Sequence, residues 1–109
     1  MAQVDEAVFE ERADQELHRL VESLIELEEL DPDLASGVLT IAFEDGTRYI
    51  VNSHRAARQI WMAAERRAWH FDLDLNDGRW IAGTNGDELW SALERVLGNK
   101  LGEQVALSR

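Results

Sequence analysis

The chain has 109 residues, 45% of them apolar and four of them Trp, enough to bury one hydrophobic core unaided, and this composition excludes disorder. Cysteine is absent; that excludes disulfides, thiolate zinc sites, thiol nucleophiles and thiolate-held clusters, and leaves a metal only carboxylates and imidazoles. Net charge is −11, with 14 acids and two bases in residues 1–45 against eight acids and nine bases in residues 46–109, which argues against nucleic acid as a partner, because phosphate binding needs a basic footprint.

From Val8 to Leu30, the residues Phe9, Ala13, Leu17, Leu20, Leu24 and Leu27 recur at steps of three and four, which predicts a long amphipathic helix. Asp31-Pro32-Asp33 is expected to end it, since Pro cannot continue a helix. A short extended segment leads to Gly37. Val38 to Glu44 alternates, and Asp45-Gly46 reads as a two-residue hairpin turn into Thr47 to Asn52. Arg58 to Ala64, Trp69 to Leu73 and Arg79 to Ala82 are further strand-like runs, separated by turns such as Asn76-Asp77-Gly78.

Asn85 is expected to cap a second helix, with Glu88 at its third position. Leu89, Trp90, Leu93, Val96 and Leu97 form the buried stripe of that helix, and Gly98-Asn99 reads as its stop. Gln104 to Leu107 reads either as a short final strand or as an ordered tail. The pattern predicts one domain over residues 1–109, an α+β two-layer sandwich with two helices packed on one face of an antiparallel sheet of five to seven strands.

On the first helix, Glu11, Asp14, His18, Glu22, Glu26 and Glu29 fall opposite the apolar stripe. Asp14, His18, Glu22 and Glu26 are spaced by four, so adjacent side chains can share a cation. Unpaired like charges at that spacing repel by a few tenths of a kcal/mol (about 0.2–0.5) per pair, a cost that interspersed lysines would remove. Oxygen donors of this kind suit hard ions such as iron, Mn²⁺, Ca²⁺ or Mg²⁺, bound weakly. A solvated face that only confers solubility is the other reading. Val21 and Ile25 read as peripheral core or as part of a charge-rimmed partner surface.

Strand parity places Asn52, Gln59, Trp61, His70 and Asp72 on the sheet face away from the helices. Trp61 there reads either as a protein-contact anchor or as a ring packed flat on neighbouring strands. His70 and Asp72 read as a surface hydrogen-bonding pair, and His54 as an ordinary loop residue. Arg55, Arg58, Arg66 and Arg67 make a modest basic counter-patch. No serine lies in a nucleophile elbow and no glycine spacing makes a phosphate loop, so the chain does not read as an enzyme. Met1 to Glu6 shows no secretion signal and no apolar run is long enough to span a membrane, so a cytoplasmic location is expected.

Several segments together carry a family resemblance: Gly37 to Gly46 (GVLTIAFEDG), Gln59 to Ala63 (QIWMA), His70-Phe71-Asp72, Trp80, and Gly86 to Trp90 (GDELW). From about Phe9 to the C-terminus, in order and spacing, the chain resembles the bacterial frataxin (CyaY) family. The resemblance implies a frataxin-like fold and a non-catalytic, iron-binding accessory protein of iron–sulfur cluster assembly acting on the complex of cysteine desulfurase and scaffold. It implies a monomer that can oligomerise with iron.

In that family an acidic ridge binds Fe²⁺ or Fe³⁺ weakly and docks on a basic desulfurase surface. Carried onto this sequence, the ridge comprises Glu11, Asp14, Glu22, Glu26, Glu28, Glu29, Asp31 and Asp33, with His18 as an imidazole beside it. The family's sheet surface maps to Asn52, Gln59 and Trp61. Glu10 stands where bacterial members often carry His, Leu17 where they carry Trp, and Ala56-Ala57 where a Pro is common. Ferroxidase or iron-storage activity on the same carboxylates, and a metal-independent acidic interaction module, are the alternative readings.

Overall fold

The structure, a computed structural model, describes residues 4–83 and 85–108. The first helix, α1, spans Glu6–Leu24. Its N-terminus is capped by the Asp5 carboxylate, which accepts from the Ala7 amide at 3.1 Å; an acid at this end also favours the helix dipole. Phe9, Ala13, Leu17, Leu20 and Leu24 are buried, as their spacing predicts.

α1 ends six residues earlier than expected. No basic residue lies in its last turn, and Glu26, Glu28 and Glu29 follow at the negative end of the dipole, where anions are unfavourable. The backbone tightens instead, with Leu27 N–H donating to the Leu24 carbonyl at 3.0 Å. Leu27 is only partly buried, and Glu26, Glu28 and Glu29 sit in turns.

Six strands follow: β1 Leu30–Ala35, β2 Val38–Phe43, β3 Arg48–His54, β4 Gln59–Ala64, β5 Arg67–Asp74 and β6 Arg79–Ala82. They form one antiparallel meander in chain order. Pro32 therefore lies inside β1 instead of ending the helix. An edge strand tolerates it because one side of the strand needs no ladder donor. The expected two-residue turn at Asp45-Gly46 is longer, since β2 ends at Phe43 and β3 begins at Arg48. A single 3₁₀ turn at Arg55–Ala57 joins β3 to β4.

The second helix, α2, spans Leu89–Leu101. Its N-cap is Glu88, whose carboxylate accepts from the Trp90 and Ser91 amides at 2.9 and 3.2 Å. Asn85 instead closes a local turn by accepting from the Asp87 amide. Gly98 does not stop α2; the left-handed C-cap is Gly102, whose N–H returns to the Gly98 carbonyl. Residues 103–108 form an ordered tail with no strand. Leu107 N–H donates to Glu94 and Ser108 N–H to Ser23 Oγ, at 2.7 and 2.8 Å, which ties the tail across both helices.

Both helices lie on one sheet face, α1 against β1 and β3 and α2 against β6. The core between the layers is built from alternate strand residues, among them Leu39, Ile41, Val51, Ile60, Met62, Phe71 and Trp80. Phe9 meets Trp80 edge-on, with ring centroids 5.9 Å apart. Glu16, unremarked in the sequence, is also buried, and its carboxylate accepts a hydrogen bond from Trp90 Nε1. That contact joins the two helices and satisfies an indole N–H that burial would otherwise strand. No helix among the described residues is long and apolar enough to cross a membrane.

Two hairpins use tight turns with both central residues at positive φ, the type I′ geometry that suits strand twist. Ser36-Gly37 (φ 51° and 76°) joins β1 to β2, and Glu65-Arg66 (φ 55° and 64°) joins β4 to β5. In the first, a Cβ on Gly37 would lie 2.7 Å from Ser53 Oγ. In the second, no glycine relieves the left-handed conformation. Gly37→Ala is expected to destabilise by about 1–2 kcal/mol, and Arg66→Gly to stabilise by about 0.5–1 kcal/mol after the added freedom of the unfolded chain. Calorimetric melting should show opposite shifts of several degrees; shifts of the same sign would refute this placing of the strain.

Candidate functional site: an acidic wall and an open sheet face

The helical period puts Glu11, Asp14, His18 and Glu22 on the exposed side of α1, opposite the buried stripe. The chain then turns through Glu26, Glu28 and Glu29, all exposed, and enters β1. There the alternation of a strand takes over: Leu30 is buried while Asp31 and Asp33 are exposed. Opposite them in the register stand Ala42 and Thr40, which belong to the sheet face without helices. The carboxylates therefore run along one helix, round the sheet edge and onto the open face.

Which of these groups are paired divides the wall. Glu10 and Glu6 at the start of α1 are held by Arg55, at 2.6 and 3.7 Å. His18 Nδ1 lies 2.8 Å from the Asp14 carbonyl oxygen and 3.5 Å from its carboxylate. At the far end, the Asp45 carboxylate is bound by Lys100 Nζ and by the Thr47 amide. In contrast, Glu11, Glu22, Glu26, Glu28, Glu29, Asp31 and Asp33 have no ion pair and no side-chain hydrogen bond among the described residues.

The early end of α1 changes the geometry expected from spacing alone. Glu22 is the last acid of the helical row, and Glu26 and Glu29 project from turns. Among the described residues, no three carboxylates or imidazoles converge closely enough to hold a metal ion. The wall is a row of separate oxygen donors, suited to loosely held and still hydrated cations. Val21 is partly buried against the core, whereas Ile25 is 63% exposed within the acidic turn.

The open face has a different chemistry. Asn52, Trp61 and His70 stand opposite one another across β3, β4 and β5. The Trp61 ring lies between two imidazoles, 3.9 Å and 12° from His54 and 4.3 Å and 16° from His70. Gln59 locks the indole by accepting from Trp61 Nε1 at 2.8 Å and donating to Asp72 at 3.1 Å. Trp61 is thus half-buried and stands upright from the sheet, its two faces covered by His54 and His70, so it does not pack flat on the neighbouring strands. Exposed Val38 and Ile50 extend this region toward β1 as apolar surface.

His54 is not an ordinary loop residue. As the last residue of β3 it shares the parity of Ile50 and Asn52, and that parity was the available signal. Its Nδ1 accepts from the Ala57 amide at 3.3 Å, capping the 3₁₀ turn while the ring stacks on Trp61. Asp72 bonds Gln59, so the proposed His70–Asp72 pairing is replaced by links from each residue to β4.

The chain is a two-layer α+β domain with a wall of unpaired carboxylates beside a sheet face centred on Trp61, and comparison with known proteins gives its family. The frataxin-like domain model matches residues 2–103, and the chain belongs to that family. It is 40% identical over 102 residues to the iron-sulfur cluster assembly protein CyaY of Azotobacter vinelandii, covering 92% of each chain. Its fold matches frataxin from Psychromonas ingrahamii with a TM-score of 0.87 at 27% identity, over 97% of this chain and 100% of that one. Trimeric frataxin from the yeast Saccharomyces cerevisiae, complexed with ferrous iron, matches with a TM-score of 0.74 at 27% identity, over 94% and 92% of the two chains.

Lys100 and the Thr47 amide hold the Asp45 carboxyl well below its ordinary range. A carboxyl depressed by folding stabilises the native state above its unfolded pKa, and that contribution fades as pH falls through the folded value. Lys100→Met should return the Asp45 titration toward that of a free carboxylate. The variant should be less stable than wild type at neutral pH, and the gap should begin to narrow as pH falls below about 4 and keep narrowing in stronger acid. Carboxyl ¹³C titration and melts at pH 7 and pH 2.5 measure both effects; a gap that widens in acid would contradict the pairing.

Proposed function

We propose that this protein is a non-catalytic accessory factor of iron–sulfur cluster assembly in the cytoplasm. Its acidic wall would carry Fe²⁺ or Fe³⁺ weakly and dock on a basic surface of the complex of cysteine desulfurase and scaffold. The single observation that carries this reading is the set of unpaired carboxylates from Glu22 to Asp33. Leaving like charges together without partners costs stability, and an outside cation or cationic surface recovers it. The name borne by the Azotobacter relative and the ferrous complex of the yeast frataxin support the same direction.

Electrostatics divides the work between the two surfaces. Glu22, Glu26 and Glu28 steer a basic partner and set how fast it arrives, because charge complementarity acts mainly on encounter and register. Asn52, Gln59 and the clamped Trp61 offer the desolvatable patch beside it, where a preorganised aromatic ring contributes contact area at low entropic cost. The open spacing of the oxygen donors supports carrying iron over oxidising it, since among the described residues no three of them converge.

Anaerobic calorimetric titration with Fe²⁺, read together with amide shifts, tests the wall. Wild type should shift along Glu11 to Asp33, and the triple variant Glu22→Gln, Glu26→Gln, Glu29→Gln should lose most of that response. The same variant should bind the desulfurase–scaffold complex about tenfold more weakly, equivalent to about 1.4 kcal/mol, with a shallower salt dependence. Unchanged wild-type shifts on adding iron would remove the metal half of the reading. Unchanged affinity for the complex would remove the docking half.

A further inference from the structure

We propose a second docking site, for an acidic protein segment, in the hollow at the corner of β3, β4 and β5. Arg48, Arg66 and Arg67 line this hollow of about 520 Å³, with Ala63 and Ala68 on its floor. Its sign is opposite to that of the wall, and it does not rest on the reading of the wall.

The distribution of partners singles these arginines out. Arg19, Arg55, Arg58, Arg79, Arg95 and Lys100 each reach a carboxylate within 4 Å. Arg12, Arg48, Arg66 and Arg67 do not among the described residues. Arg12 lies against the backbone at Gly78, whereas the other three line one hollow at the end of the sheet, Arg48 from the open face, Arg66 from the turn and Arg67 from the side of Trp69. In a protein with two acids for every base, three guanidiniums left without an acid in one place are unexpected from composition.

The neighbouring acids are held elsewhere. Glu65, which also lines the hollow, accepts from Asn99 Nδ2 at 2.9 Å. Asp45 is bound by Lys100 and Thr47. Asp87 accepts from Arg95 and from Trp69 Nε1. Arg67 is oriented by the Trp69 ring, its guanidinium carbon 4.6 Å from the centroid, a contact that positions the cation while leaving its N–H groups open.

The turn that presents Arg66 is the strained Glu65-Arg66 pair, both at positive φ without glycine. Strain retained at an exposed turn marks a position held for something other than stability. Planar guanidiniums around small residues suit carboxylates, which they bind through paired N–H donors. A run of Asp or Glu side chains is long enough to follow the end of the sheet from Arg48 past Arg66 toward Arg67, whereas a lone small anion meets one of them.

The probe is a hexaglutamate peptide titrated into ¹⁵N-labelled full-length protein at low ionic strength. With a chain of net charge −11, binding must come from a local feature. Amide shifts confined to residues 47–49 and 63–68 are expected, and Arg48→Gln with Arg66→Gln should weaken binding at least fivefold, by roughly 1 kcal/mol. Glu22→Gln with Glu26→Gln should not weaken it. Shifts centred on Arg55 and Arg58, unchanged affinity in the arginine variant, or equal binding of inorganic phosphate at the same site would each overturn the proposal. All the substituted residues are exposed, so melting curves of both variants should match wild type closely and serve as the check that each is folded.

Discussion

Like charges can be gathered on one wall only if something else fixes the backbone that bears them. Here that constraint is burial on the opposite side of the same elements. Phe9, Ala13, Leu17, Leu20 and Leu24 hold α1 against the sheet, at about 1.5–3 kcal/mol for each large side chain. Leu30 anchors the start of β1. Mutual repulsion of a few tenths of a kcal/mol per neighbouring pair is small against that total, so the core sets where the carboxylates stand.

The layers are then fastened at points where a polar group would otherwise be stranded. Glu16 meets the Trp90 indole between the helices, and Lys100 joins the end of α2 to the β2–β3 turn. The C-terminal tail hydrogen-bonds to residues of both helices. On the open face, Gln59 saturates the indole N–H of Trp61 within the protein. A partner arriving there meets a ring already oriented, and its contribution comes from surface more than from new hydrogen bonds.

The fold was legible from the sequence because its periods are clean. Alternation in Val38 to Phe43 and steps of three and four in Phe9 to Leu24 each state which side is buried. Local punctuation was less legible. Pro32 reads as a helix stop in isolation, yet the charge run at Glu26 to Glu29 ends the helix first and an edge strand accommodates the proline. Gly98 reads as a C-cap, but a side chain there would approach the Glu103 carbonyl at 2.9 Å, so the glycine serves the returning tail. The wall residues were legible individually, whereas their division into paired and unpaired groups depends on distant partners such as Arg55 and Lys100. The Trp61 clamp needed His54 to be counted as a strand residue, and the overlap of strand end and 3₁₀ turn hid it.

The placement of Asp31, Pro32 and Asp33 on β1 also bears on solubility. An outermost strand offers unpaired backbone groups to any other strand, and charges with a proline are the usual defence against accretion into larger sheets. The opposite border, β6, is only four residues long and is partly closed by the Ile81–Glu88 bridge. β1 is therefore the more vulnerable border, and its protection is mainly ionic. Replacing those two aspartates with neutral residues would therefore remove the main barrier to strand-on-strand growth at this border.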